Sequence, residues 1–136
     1  MKRLFIFVGV LSLFMNYVNA GNLKFTNELL TGKTFYIVEK TGYDTIAKFY
    51  MEDKKLKLFY VIFYKSLLDE TDTLDAKINE DGRITYTVFE RPTELQLIKI
   101  TNSEYVVEEY HNHSKKPKNT LVLQFSKPKQ FAELKK

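Results

Sequence analysis

The sequence predicts an all-β protein: an eight-stranded antiparallel up-and-down barrel with a short N-terminal helical turn and a short C-terminal helix. Three observations carry this. Short β-rich runs, split by turn residues, fill the chain from Lys33 to Ser126. The loops between them are too short for the crossovers that parallel strands need. The aromatic load is heavy, with Phe 11 and Tyr 9 among 136 residues, and it suits a pleated sheet surface. Eight antiparallel strands can close on themselves and remove every exposed edge. A two-sheet sandwich is the competing arrangement, but it usually needs longer crossing connections.

The chain opens MKRLFIFVGVLSLFMNYVNA. Lys2 and Arg3 precede an apolar run from Leu4 to Met15, and the small residues Val18 and Ala20 sit where a signal peptidase reads. Residues 1–20 are therefore expected to be a cleaved signal peptide, and residues 21–136 a single domain that is periplasmic or secreted. The apolar run is too short to span a bilayer, so no membrane span is expected after cleavage. No cysteine follows the leader, which argues against a lipid anchor.

Thr26-Asn27-Glu28-Leu29-Leu30 predicts one helical turn capped by Thr26 or Asn27 and stopped by Gly32. Strands are then expected at 33–40, 45–52, 56–65, 74–79, 83–90, 94–101, 104–113 and 120–126. Asp81-Gly82, between Ile78 and Ile84, is the clearest hairpin signal. Asp53-Lys54-Lys55 and Asn102-Ser103 are also tight-turn material. The run 56–65 is apolar on both faces, so its outer face needs a cover. A helical turn after Pro128, carrying Phe131 and Leu134, can provide it, or a partner protein can.

Composition excludes whole classes of chemistry. With Cys 0, there are no disulfides, thiol nucleophiles or cysteine-held metals. The formal net charge is +4, but Lys2 and Arg3 belong to the leader, and the remainder asks for no nucleic-acid partner. Ser66, Ser103, Ser114 and Ser126 show no nucleophile elbow, and no glycine-rich phosphate loop is present. Acid pairs such as Glu28 with Asp44 carry no information when chosen among Asp+Glu 17. No catalytic residue is assigned, and the chain is read as a non-enzyme.

The stretch ELLTGKTFY, residues 28–36, resembles the start of a lipocalin-like (calycin) barrel, where a helical turn precedes a Gly-x-aromatic motif on the first strand. This chain has Gly32-Lys33-Thr34-Phe35, with the aromatic displaced by one, and the family's usual tryptophan is absent. The later rhythm YTVFERPTELQLIKITNSEYVVEEY is similar to small bacterial lipocalin-like domains, and the likeness loosely covers residues 25–126. It implies that a small apolar molecule is held in the barrel.

Up-and-down connectivity places alternate loops at alternate ends. One end is expected to carry the tight turns at 53–55, 80–82 and 102–103; the other carries 41–44, 66–73, 91–93 and 114–119, which include every long loop. The long-loop end is the expected mouth. It gathers Tyr43, Arg91, the acids Asp69, Glu70 and Asp72, and Lys115, Lys116 and Lys118. Alternation points Ala47, Phe49 and Met51 inward, and Leu121, Leu123 and Phe125 with them. The expected ligand-binding residues are Tyr43, Phe49, Met51, Phe63, Arg91, Tyr105 and Leu123.

The stretch YHNHSKKPK, residues 110–118, holds both histidines. On a strand, Tyr105, Val107, Glu109, His111 and His113 share one face, so Glu109, His111 and His113 can be drawn as a zinc site, completed by Asp69 or Asp72. The plain alternative is a solvated strand end followed by lysines that repel a cation. The acidic run Asp69, Glu70, Asp72, Asp75 lacks the glycine and spacing of a calcium loop. The leading expectation is thus an exported binding protein for a small apolar molecule or lipid fragment, with no obligatory cofactor. The alternatives are an envelope protein-interaction or inhibitor module, and a periplasmic metal-binding protein using His111 and His113.

Overall fold

The computed structural model describes residues 23–39 and 41–133. The expected leader, residues 1–20, and Leu134 lie outside the described residues. A single helical turn, α1 (Asn27–Leu30), precedes eight strands: β1 (Thr34–Val38), β2 (Tyr43–Glu52), β3 (Lys55–Tyr64), β4 (Leu67–Ile78), β5 (Ile84–Val88), β6 (Arg91–Ile100), β7 (Glu104–His111) and β8 (Asn119–Gln124). A 3-10 turn follows at Lys129–Glu133. Each strand pairs antiparallel with the next, and β8 returns to β1, so the sheet is a closed up-and-down barrel.

Strand alternation builds the interior. On β3 the buried residues Leu56, Leu58 and Tyr60 lie two apart, and the register carries this phase to β2 through Ala47↔Tyr60 and Phe49↔Leu58. Phe35↔Ala47 carries it on to β1. These side chains join Leu97, Val107 and Leu123 in one core. Burial of such groups supplies about 25 cal/mol per Å² of apolar surface removed from water.

The N-terminal segment closes one end of the barrel. Thr26 caps α1 by accepting from the Leu29 amide. Phe25 and Leu30 are fully buried, and the Tyr105 hydroxyl donates to the Leu29 carbonyl at 2.8 Å. The Phe25 amide donates to the Gly82 carbonyl at 2.9 Å, which ties the segment to the β4–β5 connection. The connections at 53–54, 79–83 and 101–103 share this closed end.

Two expected loops at the other end are strands instead. β4 begins at Leu67, so the supposed loop 66–73 shrinks to the turn Lys65-Ser66. β6 begins at Arg91, so 91–93 is strand and the turn is Phe89-Glu90. All four turn residues have positive φ, between 51 and 69 degrees, as two-residue hairpins require. Neither pair contains the glycine or asparagine that usually marks such a turn. The strand character of 67–73 is masked because two of its inward positions, Glu70 and Asp72, are acids. Long loops therefore do not mark this end; only 112–118 is long.

The C-terminal turn does lie against the outside of the barrel, but its contacts are with β1 and β2 beside the double-faced strand. Phe131, from the 3-10 turn, is 2% exposed and packs edge-on against Tyr36 on the outer face of β1, ring centroids 5.4 Å apart. Gln130 lies beside the Asp44 carboxylate on neighbouring β2 and favours its charged form. Asp44 pairs in register with Phe63, which faces outward on β3 and is 6% exposed.

Candidate functional site

Above the core the barrel is hollow. A cavity of about 380 Å³ is lined by residues of all the strands and opens at the end carrying the connections 39–42, 65–66, 89–90 and 112–118. Its size lies in the lower part of the range typical of small-molecule sites.

Four strands carry the same chemical gradient along their inner faces. β1 runs Phe35, Ile37, then Glu39 just beyond its end; β2, read towards the mouth, runs Phe49, Ala47, Thr45, Tyr43. β7 runs Val107, Glu109, His111, and β8 runs Leu123, Leu121, Asn119. Each list is apolar at the floor and polar at the mouth. The strand period of two therefore converts sequence order into depth.

The polar collar has internal structure. His111 Nε2 lies 3.2 Å from Glu109 Oε2, and Asn119 Nδ2 donates to Glu109 Oε1 at 2.8 Å, so both oxygens of Glu109 are engaged. Lower on the wall, the Tyr60 hydroxyl donates to Glu70 Oε2 at 2.8 Å. Burial, then the Glu70 carboxylate, pushes the Tyr60 phenol up. The Glu39 backbone N–H donates to the Tyr43 carbonyl, but its carboxylate has no ion-pair or hydrogen-bond partner among the described residues. Burial raises its pKa, and the Glu109 and Asp44 carboxylates raise it further. Tyr86 also lines the cavity; burial, then Glu109 and Glu39, pushes its phenol up.

Outside the collar the rim is apolar. Leu67 is 63% exposed and Phe89 59%, and Leu68, Tyr64 and Tyr43 are exposed beside them. Tyr43 and Tyr64 pack with their rings tilted, centroids 4.5 Å apart, and the Lys65 ammonium lies over the Tyr64 ring.

The structure sorts the sequence-expected residues into two groups. Tyr43, Phe49, Arg91 and Leu123 line the cavity, as do Glu109 and His111. Met51, Phe63, Tyr105 and His113 do not. Met51 has the inward phase but lies beyond the core at the closed end, exposed beside a wider groove between β4 and β5. Phe63 lies one residue out of phase with Leu56, Leu58 and Tyr60 on β3, pairs with outward Asp44, and faces outward. Tyr105 faces inward below the cavity, packed among Phe25, Phe35 and Phe125. His113 is not on a strand. β7 ends at His111, and Asn112 and His113 form a turn with φ of 55 and 60 degrees. The Glu109, His111, His113 set is therefore not assembled, and among the described residues no three His, Cys, Asp or Glu come together as a metal-binding group. Glu39 was not singled out from the sequence, although its phase with Phe35 and Ile37 places it inward.

No protein-family model, curated protein or solved structure matches the chain. The arrangement itself can bury apolar surface at its floor and bind a polar group at its collar. Among the described residues, no helix is long and apolar enough to cross a membrane.

Proposed function

We propose that this protein is a non-catalytic, lipocalin-like binding protein that holds a small apolar molecule or lipid fragment inside the barrel. The observation that carries the reading is the 380 Å³ cavity with an apolar floor, polar collar and single open end. A ligand is retained by burial against Phe35, Phe49, Leu58 and Leu123, each Å² removed from water contributing about 25 cal/mol. The calycin kinship and the exported location belong to the same proposal; they rest on residues 28–36 and on the leader-like residues 1–20.

The test is titration of the purified protein with a neutral fluorescent apolar dye, N-phenyl-1-naphthylamine, followed by native mass spectrometry. One saturable site with blue-shifted emission supports the proposal. The absence of saturable binding sinks it. A second reading, an envelope protein-interaction module, is favoured by the exposed rim of Leu67, Leu68 and Phe89. It predicts that charged substitutions at the rim abolish capture of a partner and leave dye affinity intact.

A further inference from the structure

The cavity carries an electrostatic imbalance that an apolar ligand alone does not answer. Three carboxylates line it, Glu39, Asp69 and Glu109, against Arg91 and His111. His111 lies against Glu109. Arg91 is exposed at the rim and is not among the groups acting on Glu39. Glu39 thus faces the cavity with no cation beside it among the described residues.

Tyr86 supplies an independent sign of a missing group. Its ring borders the cavity and the residue is partly buried, yet its hydroxyl makes no hydrogen bond among the described residues. Buried phenol hydroxyls ordinarily find a partner. The charges that act on it are Glu109 and Glu39. An unpartnered hydroxyl and an unpaired carboxylate therefore share one part of the wall, above an apolar floor.

The geometry points to a cationic amphiphile as the ligand: a protonated amine whose ammonium is taken by Glu39, beside Glu109 and Tyr86, with its apolar tail on the floor. An ammonium has three donors and no acceptor. It fits a wall that offers carboxylate and phenol oxygens, and the charge-assisted bond to Glu39 forms where water is largely displaced. A carboxylate ligand such as a fatty acid meets the same acids as like charges and is disfavoured. The inference rests on the barrel-binding reading and narrows it to a headgroup class.

The test uses three probes with the same tail, decylammonium, decanol and decanoate, each competing with N-phenyl-1-naphthylamine at neutral pH. The expected order is decylammonium tightest by about tenfold or more over decanol, with decanoate weakest. Glu39→Gln is expected to reduce decylammonium affinity by about tenfold more than it changes decanol affinity. Decanol binding also reports that the variant retains its folded cavity. Should that variant fail this check, Tyr86→Phe serves in its place, with a smaller loss confined to the ammonium. Equal or tighter binding of decanol or decanoate overturns the headgroup inference and leaves the barrel-binding reading standing. Failure of the dye and all three competitors to bind overturns both.

Discussion

Glu39, raised by burial, is raised further by the Glu109 carboxylate that lines the same barrel mouth. A carboxyl whose folded-state pKa exceeds its ordinary value of 4.5 disfavours the fold when ionised. As pH rises from that value through the folded pKa, the folded state holds more protons than the unfolded chain, and stability is lost. Asp44, raised chiefly by burial, acts with the same sign.

Glu39→Gln is therefore expected to increase thermal stability at neutral pH by a few degrees at most, since the group is only partly buried and is screened by solvent. The gain should vanish below the ordinary carboxylate pKa, where both forms are neutral. Unfolding followed by circular dichroism across this window checks it. A constant difference at all pH values would assign the effect to packing. The same substitution is expected to weaken amine binding, which is the trade of stability for function common at sites.

Ala47→Phe should fill the cavity. Ala47 lies on the inner face between Phe35 and Tyr60 in register, and it is one of the smallest residues in the lining. The added ring occupies space that is hollow in the native protein, so the usual overpacking cost of about 1–3 kcal/mol is partly offset. Dye affinity should fall by at least about tenfold, with the melting temperature shifted by only about 4–8 °C per kcal/mol of any residual strain. Unaltered dye binding would place the dye outside the barrel.

Gly82→Ala tests the closed end. Gly82 has φ of 80 degrees, and a Cβ there would meet the Lys24 side chain and lie 2.8 Å from the Lys24 Cα. The Phe25 amide bonds the Gly82 carbonyl, so the chain cannot retreat without losing the plug formed by Phe25. A loss of about 1–3 kcal/mol in chemical denaturation is expected.

The same turn was readable from its letters. Asp81-Gly82 marked the hairpin, and the structure adds Asn79, whose side-chain oxygen accepts from the Asp81 and Arg83 amides. Lys65-Ser66 and Phe89-Glu90 were not readable, because neither pair favours positive φ; strand pairing on both sides imposes the turn at a cost of about 1–2 kcal/mol per residue. That is why β4 extends through Leu67 and why the mouth is not marked by loop length. Barrel closure was legible from strand count, and most inward residues from alternation. Phe63 escaped because the run 56–65 is apolar on both faces, so the letters do not choose its phase, and His113 because Asn112, an asparagine that tolerates positive φ, sat inside a run that read as continuous strand. Glu39 escaped because an acid at a strand end reads as solvated until the curvature of the barrel encloses it.

Phe131→Ala probes how the outer face of the barrel is protected. Phe131 is buried against Tyr36 although it lies outside the barrel core, and Gln130 beside it approaches Asp44. Removing the ring uncovers Tyr36 and leaves this face without its apolar contact. Truncating a fully buried phenylalanine costs about 3–5 kcal/mol in a closed core. Here the site opens to solvent once the ring is gone, so a loss nearer about 2 kcal/mol is expected. Because the cavity lies on the other side of the sheet, dye affinity should be unchanged while unfolding shifts to lower denaturant. A parallel loss of dye affinity would mean that the 3-10 turn also fixes the inner wall, through the Tyr36↔Gln124 pair that joins β1 to β8.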